Sequence, residues 1–82
     1  MDRDELPTAG GSGARITVTG LVEPGVEAGC LLLQEYLLVG GPRELFGTGR
    51  PVRVTGRVEP GLMTICQQGI PLMVETAEPA DG

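Results

Sequence analysis

The chain has no histidine, no lysine and no tryptophan, and only one serine, one tyrosine and one phenylalanine. Each gap removes a chemistry. Without imidazole there is no Ser-His or Cys-His nucleophile and no histidine ligand for a metal. Without lysine, the glycine-rich "GGSG" and "GGP" cannot be P-loops, and neither matches a strand-to-helix G-x-G-x-x-G. The one serine, Ser12, sits in the linker-like stretch "AGGSGA". Aspartate occurs only at positions 2, 4 and 81, and the glutamates between Ala14 and Val74 stand singly near turns. The expectation is a non-catalytic protein without cofactor or bound metal.

Long apolar runs are missing too. The triplets Leu31 to Leu33 and Leu37 to Val39 fall far short of the ~20 residues of a membrane span. The opening "MDRDELPTAG" lacks the basic and apolar regions of a secretory signal, so the chain reads as cytoplasmic or as beginning after a removed signal. The net charge of -5 resides in the ends: Asp2, Asp4 and Glu5 against Arg3 give -2, and Glu75, Glu78 and Asp81 give -3. Between Ala14 and Val74 five arginines balance five glutamates. The acidic total is thus weak ground for excluding nucleic acid.

What the chain does have is 14 Gly and 7 Pro among aliphatic residues, the punctuation of short strands and tight turns. It also has a repeat. "VTGLVEPGVEAGC" (18–30) recurs as "VTGRVEPGLMTIC" (54–66), shifted by 36 throughout, each copy ending on one of the two cysteines. Stacked repeat arrays need about three units or more, so two copies in 82 residues fit one pseudo-symmetric domain near the lower size limit for a stable core.

Alternation defines the strands. Ile16, Val18, Gly20 and Val22 share one face, as do Val52, Val54, Gly56 and Val58, while Arg53, Thr55 and Arg57 share the other. Gly20 and Gly56 interrupt inner rows and read as corners where a strand bends or meets another backbone. Pro24-Gly25 and Pro60-Gly61 predict type II turns leading into returning strands that carry Cys30 and Cys66. A hairpin at Gln34-Glu35 follows, then a short helix opened by Pro42 with Phe46 covering an end of the core, and a closing strand in "IPLMVETA". The order is three strands, a helix and two strands, with a candidate sixth strand between Leu62 and Cys66. The expected class is all-β: a five-stranded Greek-key barrel of the OB type, its helix between strands 3 and 4. The domain is expected over 15–76, with flexible tails over 1–14 and 77–82.

The segments "VTGLVEPGVEAGCLLL", "GRPVRVTGRVEPGLMTICQQG" and "IPLMV" together resemble a family of small, uncharacterised bacterial OB-fold-like domains over roughly Ile16 to Val74. The resemblance implies the barrel and a paired-cysteine feature; it implies no activity, substrate or catalytic residue.

The cysteines admit three readings. A structural zinc needs about four Cys or His ligands, so two cysteines would require a dimer or carboxylates. Buried free thiols are the plain alternative. A disulfide is the third, favoured by the equivalent places of Cys30 and Cys66 in the repeat, and it would move the expected location outside the cytoplasm. The residues leave disulfide and free thiols open.

Two functions follow. The first is a binding module for a protein or small ligand, at the cell envelope if the cysteines are bonded, using the loops around "VEAG" and "CQQG", where Gln67 and Gln68 offer amides. The alternative is single-stranded nucleic-acid binding through Arg43, Arg50, Arg53 and Arg57. That alternative is short of stacking platforms, with Tyr36 and a buried Phe46 alone, and cross-strand Arg-Glu pairs would explain the arginines equally well. An open sheet edge would let two copies pair.

Overall fold

The computed structural model describes residues 13–80. Its strands are β1 (Ala14–Gly20), β2 (Val22–Pro24), β3 (Leu31–Leu33), β4 (Tyr36–Val39), β5 (Val52–Val58) and β6 (Ile70–Pro79), and α1 (Arg43–Phe46) lies between β4 and β5. They form one open mixed sheet in the order β1-β5-β6-β4-β3-β2, antiparallel except where β4 runs parallel to β6.

The two copies of the repeat meet here. β1 and β5 pair antiparallel with Val18 opposite Val54, Thr17 opposite Thr55 and Thr19 opposite Arg53. Val18 and Val54 are equivalent positions of the repeat, so a local two-fold axis passes between them. The inner rows face the core as alternation requires: Val18, Val52 and Val54 pack with Leu33, Leu38, Leu72 and Phe46. Ile16, Val22 and Val58 pad its margin.

Gly56 shows why its inner row is interrupted. The β5–β6 register slips between Thr55 and Gly56, pairing Thr55 with Thr76 but Gly56 with Val74, so Glu75 is the extra residue of a bulge. A Cβ on Gly56 would run into the Met73 carbonyl oxygen. Gly20 ends β1 where the chain leaves β5 for β3, and a Cβ there would press on Leu33.

Several expectations need correction. The sixth strand comes from the first one breaking at Leu21 into β1 and β2; Leu62 to Cys66 form no strand. Neither Gly25 nor Gly61 has a positive φ, so the Pro-Gly pairs are not type II turns. Pro24 instead ends β2 opposite Leu31, and the positive φ falls on Gly29, inside a turn closed by the Cys30 amide donating to the Glu27 carbonyl. Glu59 to Leu62 do form a turn, with the Leu62 amide donating to Glu59 O at 3.0 Å. β6 runs on to Pro79, so Ala77 to Pro79 belong to the sheet rather than to a tail, because Val52, Arg53 and Val54 supply pairing partners. Ala14 is likewise already in β1, and the Gly13 amide donates to the Val58 carbonyl; residues 1–12 and 81–82 lie outside the described residues.

Candidate functional site

The segment Leu62–Gly69 lies outside the strand ladder, yet it covers part of the sheet. Successive residues of a strand face opposite sides. With Leu33 and Leu38 in the core, Leu32, Leu37 and Pro71 therefore point to the other face. Leu37 (2% exposed) and Cys30 (3%) are buried but lie outside the main core cluster. What lies over them is this segment, which acts as a strap. Gly69 sits so close that a Cβ would stand 3.0 Å from Leu32 Cδ2 and 3.2 Å from the Leu37 amide nitrogen. The triple-leucine run of β3 thus meets cover on both faces, with Leu33 buried and Leu31 and Leu32 half-buried, which explains its lack of alternation.

Cys30 and Cys66 hold the strap down. Their sulfurs are at disulfide distance with Cα atoms 6.0 Å apart, closing a separation of 36 residues. Like Val18 and Val54, they are equivalent positions of the repeat in mutual contact. A second tie runs from the Val26 amide to Gln68 Oε1, 2.9 Å. The strap's other hydrogen bonds are local. Thr64 Oγ1 donates to the Cys66 carbonyl (2.8 Å) and accepts from the Cys66 amide (3.1 Å), and the Gln68 amide donates to Cys66 O (2.8 Å).

The two loops named from the sequence, "VEAG" and "CQQG", are therefore one surface. Val26, Glu27, Gln67 and Gln68 line a shallow hollow between them. A second open hollow of about 320 Å³ is framed by Pro60, Leu62, Met63, Cys66, Gln67 and Pro71, among others. Three large apolar side chains of these two segments are exposed: Val26 is 86% exposed, Met63 92% and Ile65 84%. Sequence reading missed them, although the repeat held a signal: Met63 and Ile65 occupy the places of Glu27 and Gly29 in the first copy.

The arginines lie elsewhere. On the outer face of β1, β5 and β6, Thr17, Thr55 and Thr76 form a cross-strand row, with Thr17 Oγ1 2.9 Å from Thr55 Oγ1. Arg53 meets Glu78 at 2.6 Å. Arg57 meets Glu75 at 2.9 Å and donates to the Gly13 carbonyl, and Arg15 reaches the other oxygen of Glu75 at 2.8 Å. Arg43 donates to the Gly29 carbonyl at 2.6 Å, bracing the Cys30 loop. Tyr36 is half-buried against the core opposite Leu33 and Ile70, away from Arg53 and Arg57. The structure thus unites Gln67 and Gln68 with the cysteines but does not bring Tyr36 to the arginines.

Bulged Glu75 receives two guanidinium groups because the slip turns it to the outer face of β6, within reach of Arg57 on β5 and Arg15 on β1. The Arg15 hydrogen bond first, then the charges of both arginines and the Arg57 bond, outweigh the opposing loss of water and hold its carboxyl below the ordinary 4.5. A group with a depressed folded pKa stabilises the fold above its unfolded pKa and loses that contribution as pH falls through the folded value. The Glu75 share is therefore full above about pH 4.5 and disappears in more acidic solution. Carboxyl-carbon NMR should find a Glu75 midpoint below 4.5, returning toward that value in Arg15→Ala and moving less in Arg57→Ala.

Comparison with protein-family models, curated proteins and solved structures finds no match to the chain. No described helix is long and apolar enough to cross a membrane.

Proposed function

We propose that the chain is a non-catalytic docking module on a small OB-fold-like barrel, and that its docking surface is the stapled pair of loops. The barrel reading rests on strand order. The two edges of the sheet, β1 and β2, are consecutive in the chain with Leu21 alone between them, and β4 runs parallel to β6. A five-stranded barrel closed by one bent strand has this connectivity. At the seam, Gln34 Nε2 donates to the Thr19 carbonyl at 2.7 Å.

The observation that carries the function is the outward display of Val26, Met63 and Ile65 on loops fixed by a disulfide. Exposed apolar patches of this kind mark interaction sites. The hollows are too open to enclose most of a small molecule, as ligand pockets do, which favours a protein partner. Its chemistry follows from the rim, where Glu27 adjoins Gln67 and Gln68 and the neighbouring Arg43 is committed to Gly29. The partner is an apolar segment flanked by basic residues. A bonded cysteine pair favours an oxidising compartment such as the cell envelope for this encounter.

The test is an NMR titration with two synthetic peptides, one of leucines flanked by lysines and one flanked by glutamates. The lysine peptide should shift the Val26, Met63 and Ile65 methyls saturably, and Met63→Ser/Ile65→Ser should weaken it by about tenfold or more, as truncating interface anchors does. Shifts centred on the Arg53 and Arg57 face, or none with either peptide, would overturn the reading. Salt-sensitive binding of oligothymidylate that is lost in Arg53→Ala/Arg57→Ala would put the nucleic-acid alternative first.

A further inference from the structure

The strap has an unusual balance of attachments. Of its apolar side chains, Met63 and Ile65 are almost fully exposed and contribute almost no burial, and Leu62 is covered in part. Among the described residues, its ties from Thr64 to Gln68 to the rest of the fold are the disulfide and the Val26–Gln68 hydrogen bond. Beneath it lie Leu32, Leu37 and Pro71, on the face opposite the main core. That core draws nothing from the strap: its members come from β1, β3, β4, β5, β6 and α1.

From this we infer that Cys30–Cys66 is a site of thiol–disulfide exchange, and that reduction by a dithiol releases the strap and uncovers the Leu32–Leu37 face while the rest of the sheet stays folded. The chemistry is a two-electron exchange. One thiolate of the dithiol attacks Cys66 Sγ, on the half-buried strap, forming a mixed disulfide as the bond to Cys30 breaks; Cys30 leaves as a thiolate and takes a proton. The second thiol of the reductant then attacks its own mixed-disulfide sulfur and expels Cys66 as a thiol. The protein gains two electrons and two protons, and the dithiol becomes a cyclic disulfide.

Once cut, the strap keeps, among the described residues, the side-chain hydrogen bond to Val26 and the packing of Leu62 and Gly69 at its two ends. Ordering its backbone against so few ties is unfavourable, since each residue fixed gives up conformational freedom. The closed state is therefore the oxidised one and the open state the reduced one. The switch needs no partner, so it stands or falls apart from the docking reading; in the reduced form Met63 and Ile65 lose the fixed place that the disulfide gives them.

Hydrogen exchange followed by mass spectrometry on the full chain, with and without dithiothreitol, tests this. Reduction should speed exchange at least tenfold across Leu62–Gly69, leave the paired strands around Leu32, Leu37, Val52 and Val54 protected, and reverse on reoxidation. An apolar dye should brighten with reduced protein and not with oxidised protein. Cys66→Ala should match the reduced chain, without reductant. Unchanged strap protection would show that the loop holds without its staple and would overturn the proposal. Simultaneous loss of protection at Val52 and Val54 would equally overturn it, by making the disulfide a support of the whole fold.

Discussion

Alanine at both Cys30 and Cys66 lowers the melting temperature by on the order of 15–30 °C, read by circular dichroism under non-reducing conditions. The chain-entropy model gives the magnitude. A cross-link spanning 36 residues removes enough freedom from the unfolded chain to stabilise the fold by about 4 kcal/mol. A domain of this length commonly has stability near the lower end of about 5–15 kcal/mol. The staple is therefore a large share of the total, yet the remaining fold keeps a positive balance because its core lies on the other face. Denaturant titration should show the same loss, together with a slightly steeper slope, since the unlinked chain exposes more surface on unfolding. A drop of under about 5 °C would mean that the unfolded chain is already compact around the cysteines.

Gly56→Ala is the second large effect, a destabilisation of about 3 kcal/mol by chemical denaturation. Gly56 has no positive φ, so backbone preference is not the reason. The cause is distance: the new methyl group would meet the Met73 carbonyl oxygen, with the Val74 Cα also only 3.2 Å away. These are backbone atoms of the bulged strand and have no rotamer to escape into. Relief requires β5 and β6 to separate, which disturbs Val54, Leu72 and the Glu75 bulge together. Gly61→Ala is the control. Nothing lies within 4 Å of a Cβ at Gly61, which also lacks a positive φ, so alanine there should be neutral or stabilising by up to about 1 kcal/mol.

The strands of the repeat were legible because period-two alternation in "RITVTGLVE" and "PVRVTGRVE" answers to one buried face, and the structure buries the face expected. The fate of the second copy was not legible. "LMTIC" has the branched residues of a strand, and its counterpart in the first copy leads directly into β3. β5, however, already has β1 on one side and β6 on the other, so no edge remains for a returning strand, and the segment becomes a strap. Competition for a sheet edge is decided by the whole chain, beyond the reach of local propensity. The break at Leu21 and the extension of β6 to Pro79 have the same origin in available partners. At the site, the repeat gave the two cysteines equivalent places but left bonded and free thiols open, and the "VEAG" and "CQQG" loops were named without being brought together. The outward apolar side chains could have been read only by comparing the copies position by position.

Both Val18–Val54 and Cys30–Cys66 join a residue to its own counterpart 36 positions on. A chain built this way resembles a homodimer written as one polypeptide, in which each half recognises the other through contacts it could also offer to a stranger. At high protein concentration under oxidising conditions, halves from different molecules can satisfy the same β1–β5 pairing and the same sulfur bond, yielding covalently interlocked dimers by exchange of halves. The length of the link between the copies, from the end of β4 through α1 to β5, then decides whether the molecule closes on itself or on its neighbour.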